Sequence, residues 1–220
     1  MKPKRIILIR HGESEGNIDD SVYGNKPDYA LRLTGPGRGQ ARAAGIRLKA
    51  MFGDEPAQVY LSPLYRTRDT FAEIRESFPD GQLRHLEEPR VREQEWGHLR
   101  DLKACAEVTR LRDEYGAFYF RIPDGESAAD VFDRVSDFFN TLYRDFEKPD
   151  FPPNVLIVTH GMTMRLFLMR WFHYTVEEFE VLANPGNCAM VEMALRSDGT
   201  YALLTELERK EPDHIWKYSR

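Results

Sequence analysis

The sequence predicts an α/β protein, a three-layer α/β/α sandwich with a mostly parallel central sheet. Three observations carry this reading. Apolar runs rich in β-branched residues, at residues 5–9 and 154–159, have the composition of strands buried on both faces. Segments with apolar residues at helical spacing alternate with such runs, a pattern that packs as helices on both faces of a sheet. Both of these strands run directly into a His-Gly pair, and in open α/β sheets ligands bind beyond the carboxyl ends of the strands.

The elements follow in chain order. After the first strand comes Gly12, and residues 13–29 are polar and rich in turn formers, so they read as a loop carried at a strand end. Thr34 is suited to cap a helix over residues 36–52. Pro36 fits its first turn, where a missing N–H costs nothing. Ala41, Ala44, Leu48 and Met51 mark that helix's apolar face. Residues 58–61 form a second strand, and Ser62-Pro63 opens a helix to about residue 77 with Ser62 as its cap. Residues 82–86 are a third strand, and helices fill residues 103–115 and 127–146. The latter carries Val131, Phe132, Val135, Phe138, Phe139 and Leu142 on one broad face. Beyond the strand at 154–159, residues 162–172 continue as a helix. Residues 189–195 and 201–207 close the fold as an antiparallel pair around Ser197-Asp198-Gly199. The Pro-containing connector at 148–153 is too short for a domain linker and there are no repeats, so residues 1–220 read as one domain. The charged tail after Glu208 is expected to be loosely held.

Composition narrows the function. With 41% hydrophobic and 30% charged residues the chain reads as soluble and globular, with a core that needs no metal or disulfide. A net charge of −5 argues against a general affinity for nucleic acid or anionic membranes. The run at residues 6–9 is too short for a signal peptide, and no stretch approaches the ~20 apolar residues of a membrane span, so a cytoplasmic location is expected. Cys105 and Cys188, far apart and outside any CxxC pair, read as reduced thiols. No HxxxH, HExxH or Asp-rich spacing suggests a metal site, and no cofactor is expected.

The chemistry-bearing residues lie at the strand ends. If the two His-Gly strands are neighbours, His11 and His160 meet at one sheet edge. A lone strand-end histidine is usually structural, but two after two buried strands suggest a site. Arg66, on the first turns of its helix, can offer charged donors to an anion. Arg10 sits at the end of a buried strand, where a charge needs a partner. Glu93 is a loop carboxylate near Trp96 and Gly97.

These motifs resemble those of the histidine phosphatase superfamily, which includes the cofactor-dependent phosphoglycerate mutases. Arg10-His11-Gly12-Glu13-Ser14-Glu15-Gly16-Asn17 is similar to its signature, and Ser62-Pro63-x-x-Arg66-Thr67-x-x-Thr70 to its second arginine motif. Glu93-Gln94-Glu95-Trp96-Gly97 resembles its acidic loop, Pro123-Asp124-Gly125-Glu126-Ser127 a common helix start, and Thr159-His160-Gly161 its second histidine. The matches run in family order across nearly the whole chain. Asp20-Ser21-Val22-Tyr23, Gln94-Glu95-Trp96-Gly97 and Asn184-Pro185-Gly186-Asn187 further resemble a plant and fungal phosphoglycerate-mutase-like branch.

The resemblance implies a metal-independent phosphomonoesterase acting on a small phosphorylated substrate. It implies His11 as covalent nucleophile, Glu93 as acid then base, and His160 with Arg10, Arg66, Asn17 and Gly161 around the phosphoryl group. Two alternatives remain open. A mutase would need extra basic contacts in residues 100–121, where Arg110 and Arg112 form no recognisable mutase pattern. A non-catalytic phospholigand-binding protein would usually have lost one of these histidines or arginines.

Overall fold

The computed structural model describes residues 2–97 and 102–210. Six strands form one sheet in the order β3-β2-β4-β1-β5-β6, with β1 Arg5–Arg10, β2 Ala57–Leu61, β3 Leu83–Glu87, β4 Asn154–Thr159, β5 Met190–Leu195 and β6 Tyr201–Leu203. The first four are parallel, and β5 and β6 each run antiparallel to their neighbour. Every residue of β4 is buried, as expected of a strand flanked by β1 and β2 and covered on both faces.

Side-chain alternation along the central strands divides the interior into two cores. On one face Ile6, Leu8, Tyr60, Val155 and Ile157 meet α5 (Ala128–Phe146) and α6 (Gly161–Phe172) through Val131, Val135, Phe138, Phe139 and Phe167. On the other, Ile7, Ile9, Val59, Leu156 and Val158 meet α2 (Gly35–Phe52) and α3 (Tyr65–Arg75) through Ala41, Ala44, Leu48, Phe71 and Ile74. This is the expected α/β/α sandwich. Each fully buried Leu, Ile or Phe contributes roughly 1.5–3 kcal/mol, so the two cores hold the strand ends firmly in place.

Several local expectations hold at the level of single bonds. The Thr34 hydroxyl accepts from Gly37 N at 3.0 Å to cap α2. Ser127 and Asp130 form a reciprocal capping box on α5. Others are corrected. The helix after β2 begins at Tyr65, with no side-chain cap, and Ser62 does not cap it. Ser62 N still bonds Val158 O at 3.0 Å, continuing the β2–β4 ladder, so its hydroxyl is aimed into the strand-end region instead. The last strand ends at Leu203, not at residue 207, because the chain turns away to pair Leu182 with Arg209. That bridge also ties down residues 208–210, while the remainder of the charged tail lies outside the described residues. The loop over residues 13–29 contains three short helical turns: α1 Glu15–Ile18, then 3-10 turns at Asp20–Gly24 and Asp28–Ala30. A third 3-10 turn, Pro89–Val91, and helix α4, Leu102–Tyr115, flank the acidic loop. Helix α7, Val176–Glu180, was not anticipated, although Thr175 and Glu178 form its capping box.

Candidate active site

β1 and β4 are neighbours in parallel register, with Arg10 opposite Thr159. The two histidines that follow therefore emerge side by side. Their ring centroids are 5.2 Å apart and the planes are tilted by 59°. Both side chains are buried, His160 completely.

Hydrogen bonds fix the state of each ring. His11 Nδ1 is 2.8 Å from Gly12 O. A carbonyl oxygen can only accept, so Nδ1 carries the proton and Nε2 keeps its lone pair. Arg66 Nε–H donates to His160 Nδ1 at 3.4 Å, so His160 is protonated at Nε2 and donates to Ser62 Oγ at 2.7 Å. Burial, first of all, holds both imidazoles well below the ordinary histidine pKa, and the positive charges of Arg66 and Arg10 push in the same direction. The rings are neutral in a site whose fixed charges are cationic.

Arg10 donates through Nη1 to Pro185 O at 2.6 Å, and its buried Nε has no hydrogen-bond partner. Burial lowers its pKa, opposed in part by the charge of Glu93. Arg66, on the first turn of α3, bonds Asp28 through both terminal nitrogens. Asn17 is exposed on α1; its Oδ1 accepts from Ser14 N at 3.1 Å and from Asn187 Nδ2 at 3.0 Å, which leaves its NH₂ group for a ligand. The half-buried Glu93 carboxylate stands at the start of α6, accepting from Met162 N at 3.4 Å. Gly161 opens that helix against Asn184, whose Oδ1 a Cβ there would approach to 3.1 Å, so a side chain would crowd the strand end. All seven residues singled out from the sequence thus gather around the carboxyl ends of β1 and β4.

The sequence reading missed the residues that hold these in place. Arg134 of α5 donates to the carbonyls of Arg90, Arg92 and Glu93 at 2.6–3.0 Å and to both oxygens of Glu126. Thr163 Oγ1 adds a bond to Arg92 O at 2.7 Å. Gly97, at φ +66°, and Gly125 let the acidic loop lie against residues 123–126, where a Cβ on either would come within 2.4 Å of a carbonyl oxygen. The Asp124-Gly125-Glu126 motif is therefore half of a loop clamp as well as a helix start. Tyr23 is a further neighbour: burial, then Asp28, pushes its hydroxyl pKa up to about 12, and it senses the charges of Arg66 and Glu93. Among the described residues, no group of three or more His, Cys, Asp or Glu side chains is placed to hold a metal ion.

A neutral histidine with a free ring nitrogen, ringed by arginines at the carboxyl edge of a mostly parallel sheet, defines an α/β enzyme built for a phosphoryl anion. The family model of the histidine phosphatase superfamily (branch 1) matches residues 6–207, and the chain belongs to that family. Phosphoglycerate mutase-like protein AT74 of Arabidopsis thaliana is 44% identical, over 91% of this chain and 68% of its own. Broad-range acid phosphatase DET1 of Saccharomyces cerevisiae is 31% identical, over 94% of this chain and 90% of its own. Among solved structures, a mycobacterial glucosyl-3-phosphoglycerate phosphatase in complex with VO₃ superposes with a TM-score of 0.70 at 24% identity, covering 93% of this chain and 99% of its own. This last likeness is one of fold.

Proposed function

We propose that the protein is a metal-independent phosphomonoesterase that works through a phosphohistidine at His11. The observation that carries the reading is the His11 ring: neutral, with Nδ1–H held by Gly12 O, so that Nε2 is an oriented nucleophile before substrate arrives. Nε2 attacks phosphorus as the ester oxygen leaves on the opposite side, and Glu93, in its acid form, donates a proton to that oxygen. Glu93, now a carboxylate, takes a proton from water as the water oxygen attacks the phosphohistidine. Phosphate departs and His11 is regenerated. Arg10, Arg66, Asn17 and the backbone at Gly161 bind the equatorial oxygens, and His160 completes the pocket by donating from whichever nitrogen the bound anion selects. Two guanidinium groups supply the charge that a metal would supply elsewhere.

Hydrolysis is favoured over mutase chemistry by the commitment of Arg110 and Arg121 to carboxylates of the chain. Arg110 is spent on Glu107 and Glu114 of its own helix, whereas Arg112 lies over the Trp96 ring at 5.6 Å with a buried Nε that has no hydrogen-bond partner. Arg121 pairs with Asp130, and Arg100 lies outside the described residues. Retention of the two histidines, two arginines and Glu93 favours catalysis over passive ligand binding. We further read the chain as one domain, since the sheet takes strands from both halves of the sequence. We also read it as a cytoplasmic enzyme of small phosphorylated molecules without nucleic-acid or membrane partners. The net charge of −5 supports this, and among the described residues no helix is long and apolar enough to cross a membrane.

The test is phosphate release across a panel of phosphomonoesters, with His11→Ala as control. Wild type should release phosphate and, on rapid quench, carry an acid-labile, base-stable phosphoryl group. His11→Ala should lose both, and near-native turnover in that variant overturns the covalent mechanism.

A further inference from the structure

We propose that Asp28 is a positioning residue for Arg66, holding the guanidinium so that one two-donor edge is presented to the phosphoryl site; the proposal rests on the phosphatase reading above. Arg66 Nη1 donates to the main-chain oxygen of Asp28 at 2.9 Å and to its Oδ1 at 2.8 Å, and Nη2 donates to Oδ2 at 3.2 Å. A guanidinium has five N–H bonds in a fixed plane. Asp28 takes both on Nη1 and the adjacent one on Nη2. Nε–H and the outer Nη2–H remain, side by side on one edge, in the spacing that suits two oxygens of a phosphoryl group. That edge faces the histidines, since Nε points at His160 Nδ1 from 3.4 Å.

The alternative role for a carboxylate here, a stand-in that blocks the phosphate site, requires it to occupy the edge facing the pocket. Asp28 occupies the other donors and leaves that edge to the pocket, where Nε–H rests on His160 Nδ1 until an anion takes its place. The Arg66 side chain is 5% exposed whereas that of Asp28 is 36% exposed, so the carboxylate anchors a buried cation from the solvent side. The 3-10 turn carrying Asp28 is docked on the helix that carries Arg66. Tyr29 meets the Tyr65 ring edge-on at 5.9 Å, Arg32 lies over Tyr65 at 4.1 Å, and Leu31 is fully buried.

The experiment measures kcat and KM for para-nitrophenyl phosphate and inhibition by vanadate in wild type, Asp28→Ala, Asp28→Asn, Arg66→Ala and the Asp28→Ala/Arg66→Ala double variant. Asp28→Ala should lower kcat/KM by about 10- to 100-fold, chiefly in kcat, and weaken vanadate inhibition, because alignment matters most in the transition state. Asp28→Asn keeps one side-chain acceptor and the main-chain oxygen, so it should lose less. In the Arg66→Ala background, read by single turnover at high enzyme concentration, removing Asp28 should have no further effect. The Arg66 Nε–H resonance of the free enzyme should shift in Asp28→Ala and return in Asp28→Asn. Wild-type activity or a lower KM in Asp28→Ala overturns the proposal, as does a loss that persists without Arg66. Intact hydrolysis in Arg66→Ala is a different failure: it removes Arg66 from the phosphoryl site and the role of Asp28 with it. Should Asp28→Ala not fold, Asp28→Asn and the resonance decide.

Discussion

At the scale of single residues, the site is defined by how protons are distributed. Both histidines are held neutral by burial and by neighbouring arginines. Below pH 6.5 the unfolded chain therefore binds protons that the folded chain does not, and stability falls as pH drops from there. The slope is up to about 1.4 kcal/mol per pH unit for each histidine. Urea unfolding midpoints should decline from pH 7 toward pH 5, and His160→Asn should flatten the decline; an unchanged slope in that variant removes His160 as its source. Arg66→Ala and His160→Ala should each cut turnover by about 10²-fold or more with the fold retained, checked by kcat on samples of native circular dichroism. Residue types were legible in the sequence because His-Gly and the arginine stand beside recognisable strand ends. Their partners were not: Ser62 read as a helix cap, and Asp28 lies in a polar loop with no signal that it reaches Arg66.

At the scale of elements, the acidic loop depends on a helix distant from it in sequence. Arg134 joins three loop carbonyls to Glu126, and the pair is 11% and 15% exposed. Arg134→Met removes the donor on the Arg90 and Glu93 carbonyls, while Glu126 keeps Arg92 Nη2 and Glu95 N and the Arg92 carbonyl keeps Thr163, so it should cost roughly 1–3 kcal/mol of stability. It should also lower kcat more than KM, because Glu93 loses its backbone anchor while the arginines of the phosphate pocket are untouched. Thermal unfolding and steady-state kinetics on one preparation check both; unchanged kcat would show that the loop is held without the clamp. Helix positions were legible from periodicity and caps, as with Thr34 and Ser127. The three short turns between residues 15 and 30 were not, since segments of three to five residues carry too few apolar positions to show a period.

At the scale of the whole molecule, the proposed mechanism draws its positive charge from the chain itself. Activity should therefore be unchanged after exhaustive chelation, and vanadate should inhibit; recovery of a lost activity by an added divalent ion would contradict this. Phosphate release should dominate over 3- to 2-phosphoglycerate interconversion, measured together with and without 2,3-bisphosphoglycerate. Efficient bisphosphate-dependent interconversion with negligible release would make the enzyme a mutase while leaving His11 in its role. The layered architecture was legible from strand–helix alternation, but the strand order was not, because adjacency of β1 and β4 is decided by packing across most of the chain.

That order has a consequence for how the protein is made. β4 sits between β1 and β2, yet it begins only at Asn154. While the chain emerges from the ribosome, the first two strands are complete long before the strand that joins them exists. Both then carry unpaired edges and apolar faces, the features that invite aggregation and chaperone capture. Arrested nascent chains ending before residue 150 should remain protease-sensitive and bind no vanadate. Chains extended far enough for residues 154–172 to clear the exit tunnel should acquire protection across the early and late segments together.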